Sequence, residues 1–190
     1  DYGNKKDYRP KKNSLYNADQ IICISNKTKE DLINFYNIDH SKINVVYLGV
    51  QKFNKVENQS LSFSKPFLLY VGFRSKYKNF SNLIKAYSLS NKLQNDFDII
   101  CCGGGKFSKI EKENILNLKI DFSKIKQIDV NDNELGYFYK NASLLIYPSL
   151  YEGFGLPTIE AMSLGCPVIS SNHSAIIETV GGAAKLFDPT

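Results

Sequence analysis

Short apolar runs alternate with longer amphipathic stretches along this chain. The first run, Gln20-Ile-Ile-Cys-Ile24, predicts a buried strand, and Ser25 then caps a helix over roughly 27–37 with Leu32, Ile33 and Tyr36 on one face. A second strand is predicted at Asn44-Val-Val-Tyr-Leu48, and residues 51–65, rich in Asn, Gln, Ser and Lys, read as a linker. From Pro66 the alternation becomes regular. Strands are predicted at 67–71, 98–102, 125–128, 144–147, 167–170 and 184–187. Between them lie helical stripes carried by Phe80, Leu83, Ile84 and Tyr87; by Ile110, Ile115 and Leu118; and by Leu135, Phe138, Tyr139 and Ala142. Further helices are predicted after Pro157 and from about 174, whereas residues 1–13, polar and basic, read as a loop or frayed end. Strands alternating with helices define a parallel α/β sheet. Ligands bind such sheets beyond the carboxyl ends of the strands, so the loops at 72–79, 103–106, 129–132 and 148–157 are the ones to search.

Composition narrows this picture only a little. The chain has 190 residues, 43% of them apolar, enough for one ordinary domain. Its net charge of +5 suits an anionic ligand or a membrane surface, and no basic, aromatic-interleaved stripe argues for nucleic acid. The four cysteines, Cys23, Cys101, Cys102 and Cys166, lack metal-ligand spacing and read as buried thiols in a reducing compartment. No signal peptide or membrane-length apolar run is present in the sequence.

The most informative stretch is Ser149-Leu-Tyr-Glu152-Gly-Phe-Gly-Leu-Pro-Thr-Ile-Glu160-Ala-Met. Gly153 and Gly155 admit a close backbone approach to a ligand, and Pro157 suits the first turn of a helix. The unpaired N–H groups of that helix start form an anion site. Taken alone, Glu160 is an ordinary first-turn glutamate and Glu152 a solvated loop residue. Together with the glycines and the helix start they describe a site that holds phosphate and accepts hydrogen bonds from hydroxyls. A diphosphate between two polyhydroxylated rings, as in a nucleotide sugar, fits it.

Other loops add candidates. Gly72-Phe-Arg74-Ser-Lys-Tyr-Lys78 offers two cations to a diphosphate. Gly103-Gly-Gly105 is a tight turn, and it lacks the last glycine of a dinucleotide fingerprint and follows the second strand of its unit. Asp96-Phe-Asp98 precedes a strand instead of ending one, unlike a metal-binding carboxylate pair.

The run from Glu152 through Gly153, Phe154, Gly155, Leu156 and Pro157 to Glu160, followed by Gly165, Pro167-Val-Ile, Glu178, Gly181 or Gly182, and Phe187-Asp-Pro189, resembles the retaining glycosyltransferases of the GT-B class, family-4 (glycosyl transferases group 1) type. The resemblance covers roughly residues 18–190. It implies a Rossmann-like parallel sheet with helices on both faces. Residues 1–50 would be the remnant of an N-terminal acceptor domain, 51–65 a linker, and 66–190 a nucleotide-sugar-binding domain cut short at its end. It also implies a fragment, inactive alone, of a retaining hexosyltransferase that needs no metal or cofactor and takes a UDP- or GDP-sugar as substrate. The acceptor would be a saccharide or lipid-linked, as in cell-envelope polysaccharide synthesis. The location would be cytoplasmic, with any peripheral membrane contact made through the missing domain. Glu160 would hold the ribose and Glu152 a sugar hydroxyl. Main-chain N–H groups from Phe154 to Thr158, Gly155 and Leu156 among them, would hold sugar and diphosphate, and Gly153 would also bind the donor. Lys78 and Arg74 would stabilise the leaving diphosphate, Gly72 and Gly103 would border the pocket, and Val130 would border the base. A non-catalytic nucleotide-binding module and an NAD-dependent oxidoreductase are the alternatives.

Overall fold

Two five-residue strands, Phe67–Val71 (β3) and Asp98–Cys102 (β4), apolar except for Asp98, are buried at every position. Such strands have helices over both faces. The computed structural model describes residues 9–50, 53 and 63–190, with only the backbone of 9–11. Most of the predicted linker therefore lies outside the described residues.

The described residues begin with a helix, α1 (Arg9–Asn17). Strand β1 (Ile21–Cys23), helix α2 (Asn26–Tyr36) and strand β2 (Ile43–Val45) follow, and β1 and β2 pair in parallel as a two-stranded sheet. Beyond β3 come α3 (Phe80–Ser88), α4 (Asn91–Asp96), β4, α5 (Lys109–Asn117), β5 (Ile125–Ile128) and α6 (Asp132–Asn141). The chain continues through β6 (Leu144–Tyr147), α7 (Leu156–Ser163), β7 (Val168–Ser171), α8 (Ile176–Val180) and β8 (Lys185–Phe187). The second sheet is six-stranded and parallel, in the order β5-β4-β3-β6-β7-β8.

Alternate strand residues feed two cores. On one face Leu68, Tyr70, Ile99, Cys101 and Ile146 meet Phe80, Leu83, Ile84 and Tyr87 of α3 and Ile115 of α5. On the other, Phe67, Leu69, Val71, Ile100 and Cys102 meet Phe138 and Tyr139 of α6 and Ala161 of α7. Adjacent Cys101 and Cys102 thus serve opposite faces, and burial pushes the Cys101 thiol up to about 12. Each fully buried large apolar side chain contributes about 1.5–3 kcal/mol.

Three expectations change. Residues 9–13, read as loop, are helical, and the helix is held from outside its own sequence: Leu15 packs on the core of the β1–β2 unit, and the Tyr16 hydroxyl donates to the Tyr36 carbonyl at 2.6 Å. Helix α4 stands where no element was predicted, capped by Ser90, whose hydroxyl accepts from the Leu93 N–H. Ile110 is 70% exposed and outside the core, because the Ser108–Glu111 capping box starts α5 in a phase that turns Ile115 inward instead.

The two sheets are clasped by Glu178 of α8. Its carboxylate accepts from the main-chain N–H groups of Asn26 and Lys27 at 3.0 and 2.9 Å, and from Asn26 Nδ2 and the Tyr47 hydroxyl at 3.0 Å each. Partial burial raises its pKa, but these hydrogen bonds outweigh that and hold it below the usual carboxylate value. A depressed pKa stabilises the fold above the unfolded-state value, about 4.3, and that stability is lost as the pH falls through the folded value. Glu178→Gln is therefore expected to cost about 1–2 kcal/mol near neutral pH, the low end for charged hydrogen bonds in a half-open site. It should also make the unfolding free energy fall less steeply below pH about 5. Denaturation curves of both proteins across that range measure both effects; parallel curves would remove the clasp.

Candidate active site

The strand order places a topological switch point between β3 and β6. From β3 the chain builds outward to β4 and β5, and from β6 to β7 and β8. A crevice opens where two adjacent strands send their loops in opposite directions. The loops in question are 72–79 and 148–155, and they carry Lys78 and Glu152. The two side chains meet: Lys78 Nζ lies 2.6 Å from Glu152 Oε1, with 14% and 12% of the side chains exposed. Lys78 also donates to the Tyr147 hydroxyl at 3.3 Å. Burial and then the neighbouring Glu152 charge push the Tyr147 phenol far up, so it stays protonated. The two loops are joined by the main-chain bond from Leu150 N–H to Tyr77 O at 2.7 Å.

The Gly-rich loop has an ordered pattern. The Glu152 carbonyl accepts from Ser174 Oγ at 2.6 Å, that of Gly153 from Thr28 Oγ1 at 3.3 Å, that of Phe154 from Thr179 Oγ1 at 2.6 Å, and that of Gly155 from Thr158 Oγ1 at 2.7 Å. Four successive carbonyls are thus tied by hydroxyls. Among the described residues, the N–H groups of Gly153, Phe154, Gly155 and Leu156 have no intramolecular acceptor. Gly155, at φ 100°, is the N-cap of α7 and makes no side-chain cap, which leaves the helix start open to an anion. The expected span of donors, Phe154 to Thr158, shifts. Pro157 has no N–H, and the Thr158 N–H is spent on the Gly155 carbonyl at 2.9 Å. The open donors run from Gly153 to Leu156.

Glu160 stands on the next turn of α7, half-buried, and Oε2 accepts from the Tyr139 hydroxyl at 2.8 Å. Gly72 and Gly103 end β3 and β4 with φ of 112° and 80°. Val130 follows β5 and packs partly into the core beneath α6. Gly104 is required by close approach: a Cβ there would lie 2.7 Å from the Gly72 carbonyl oxygen.

Arg74, expected on the diphosphate, has other partners. Its guanidinium is 2.6 Å from Glu111 Oε1, and it donates to the carbonyls of Gly103, Gly104, Gly105 and Lys106 at 3.1, 3.4, 2.7 and 3.2 Å. Three successive left-handed glycines turn their carbonyls to one side, and a planar five-donor fork is the side chain that fits them. Arg74 holds the glycine turn, and Lys78 alone of the two expected cations stands at the crevice.

Asp96 and Asp98 have separate cations, Lys92 at 2.7 Å and Lys126 at 3.0 Å. Among the described residues no group of three or more His, Cys, Asp or Glu could hold a metal ion. Sequence reasoning passed over Thr28, Tyr139, Ser174 and Thr179, because single hydroxyls scattered over the chain carry no spacing signal. It noted Glu178 as part of the pattern without a role.

A parallel sheet with helices on both faces, built outward from a switch point between β3 and β6, is the GT-B-type fold. The chain belongs to the family "Glycosyl transferases group 1", whose model matches residues 51–189. It is 29% identical over 178 residues to the O-antigen chain mannosyltransferase RfbU of Salmonella typhimurium, covering 94% of this chain and 49% of that protein. It is 28% identical over 188 residues to O-antigen chain mannosyltransferase B of Escherichia coli, covering 93% and 49%. The chain thus spans about half the length of these curated relatives. Among solved structures, a glycosyltransferase from Rickettsia africae superposes with a TM-score of 0.73 at 23% identity, over 100% of this chain and 55% of that one. Anabaena Alr3699/HepE in complex with UDP and glucose gives 0.79 at 19% identity, over 95% and 53%. Among the described residues no helix is long and apolar enough to cross a membrane.

Proposed function

We propose that this chain is the donor-binding part of a retaining hexosyltransferase that takes a nucleotide sugar, a UDP- or GDP-sugar, and passes the sugar to a saccharide or lipid-linked acceptor. The observation that carries the reading is the row of open N–H groups from Gly153 to Leu156, flanked by the Lys78–Glu152 pair and by Glu160. An anion seated on those donors meets the positive end of α7 and the Lys78 ammonium. In this scheme Glu160 accepts from the ribose hydroxyls, Glu152 accepts from a hydroxyl of the transferred sugar, and Lys78 stabilises charge developing on the leaving diphosphate. The O-antigen mannosyltransferases among the relatives favour a hexose and a cell-envelope acceptor.

Calorimetric titration with UDP, GDP, their sugar conjugates and NAD tests the class of ligand. Binding of a nucleoside diphosphate and not of NAD is expected; NAD alone binding would overturn the reading. Glu160→Ala is expected to weaken a nucleoside diphosphate by about 1–3 kcal/mol. Glu152→Ala should leave the bare diphosphate almost untouched and weaken the nucleotide sugar. Equal losses for both ligands in both variants would undo the division of roles.

A further inference from the structure

Among the described residues four tyrosines are essentially fully buried: Tyr70, Tyr87, Tyr139 and Tyr147. A buried phenol must find an acceptor for its O–H. Tyr70 and Tyr87 use backbone: their hydroxyls donate to the carbonyls of Phe73 and Phe97, each at 2.7 Å. These two satisfy themselves inside the scaffold. Tyr139 differs. Its ring lies in the core between sheet and α6, edge-on to Phe53 with ring centroids 6.0 Å apart, yet its hydroxyl donates to the Glu160 carboxylate at 2.8 Å. A phenylalanine would fill the same space. The hydroxyl therefore has one recipient, and that recipient stands at the crevice.

We propose that Tyr139 is a positioning residue that fixes the Glu160 carboxylate for a ribose hydroxyl pair, an assignment that rests on the nucleotide reading above. A glutamate side chain has three rotatable bonds, and its carboxylate is held here at one oxygen. With Oε2 engaged from below, Oε1 is the oxygen left to face the ligand. Among the described residues Tyr139 is the side chain that hydrogen-bonds to that carboxylate. Burial first, and then the Glu160 charge, push the Tyr139 phenol far above its ordinary value, so it donates at every working pH and never competes as an anion. A charge-assisted bond from a rigid core residue is a strong way to preorganise an acceptor. The arrangement makes the sheet core, through α6, the support for the part of the site that distinguishes a ribose.

The test compares the wild-type chain with Tyr139→Phe, using UDP, 2′-deoxy-UDP, GDP, 2′-deoxy-GDP and pyrophosphate in calorimetry, with thermal unfolding alongside. The wild type is expected to prefer the ribonucleotide that binds by about tenfold over its deoxy form, and Tyr139→Phe to reduce this preference to about twofold. Pyrophosphate affinity should stay unchanged, and a single cooperative unfolding transition should show that the variant keeps its fold, at a midpoint lowered only by the one lost hydrogen bond. In a Glu160→Ala background, which removes the acceptor, the same substitution should have no further effect on the preference, as coupling through that one side chain requires. If Tyr139→Phe keeps the full preference, Tyr139 is core alone and the proposal is overturned, while Glu160 keeps its role. If all ligands weaken equally, the hydroxyl is structural and the proposal is again overturned. A wild type that does not distinguish ribose from deoxyribose overturns the ribose assignment itself, and this proposal with it.

Discussion

Replacing Arg74 by alanine is expected to lower the unfolding free energy by about 3–5 kcal/mol, the range for removing one partner of a buried ion pair. The side chain is 3% exposed, and Glu111, its partner, 21%. Removal leaves the Glu111 carboxylate uncompensated and strands four carbonyls of the 103–106 turn at once. It also takes a cation from the face of Phe107, where the guanidinium carbon lies 4.6 Å from the ring centroid. Arg74→Lys should recover little, since an ammonium cannot reach both the carboxylate and the carbonyl row. Arg74→Ala with Glu111→Ala should be less destabilising than the sum of the two, because the second change removes the orphaned charge. Denaturant unfolding of the wild type, the three single variants and the double variant measures this. A stable Arg74→Ala variant that has lost diphosphate affinity would return Arg74 to the phosphate role expected from sequence.

That expectation shows what the sequence could carry. The strands were legible because β3 and β4 are buried on both faces and so read as apolar runs, 67–71 and 99–102. The helix stripe of α3 was legible because Phe80, Leu83, Ile84 and Tyr87 all reach the core. The Gly-rich loop was legible because Gly155 adopts a conformation, φ 100°, that few other residues tolerate. Partners far apart in the chain were not. Glu111 lies 37 positions from Arg74, and Glu178 lies 131 from Tyr47. Nothing local marks Arg74 as taken or Glu178 as a clasp. The strand order was equally hidden: alternation gives a parallel sheet, but not that β6 inserts beside β3 and brings Lys78 to Glu152. Helices α1 and α4 are short and polar, and tertiary contacts hold them where propensity does not.

Lys78→Ala is expected to have the largest effect on ligand binding. The lysine faces Glu152 at 2.6 Å in a crevice where both side chains are nearly covered, so each neutralises the other before a ligand arrives. An incoming diphosphate gains the ammonium as a partner and meets a carboxylate whose charge is offset. Alanine removes the attraction and exposes the repulsion, two losses of the same sign. Diphosphate affinity should therefore fall by well over about tenfold at low salt, and nucleoside affinity much less. The difference should shrink as salt rises, though less than for an exposed cation, since covered charges are screened weakly. Lys78→Ala with Glu152→Ala should bind bare diphosphate better than Lys78→Ala alone, because the unopposed carboxylate is gone. In the protein that carries transfer, the turnover number should drop by about 10²–10³, as when a donor to developing transition-state charge is removed. Titrations of UDP, GDP, uridine and guanosine at two salt concentrations decide the binding part. Equal losses for nucleoside and diphosphate would mean that Lys78 supports the fold of the crevice and does not read the phosphate.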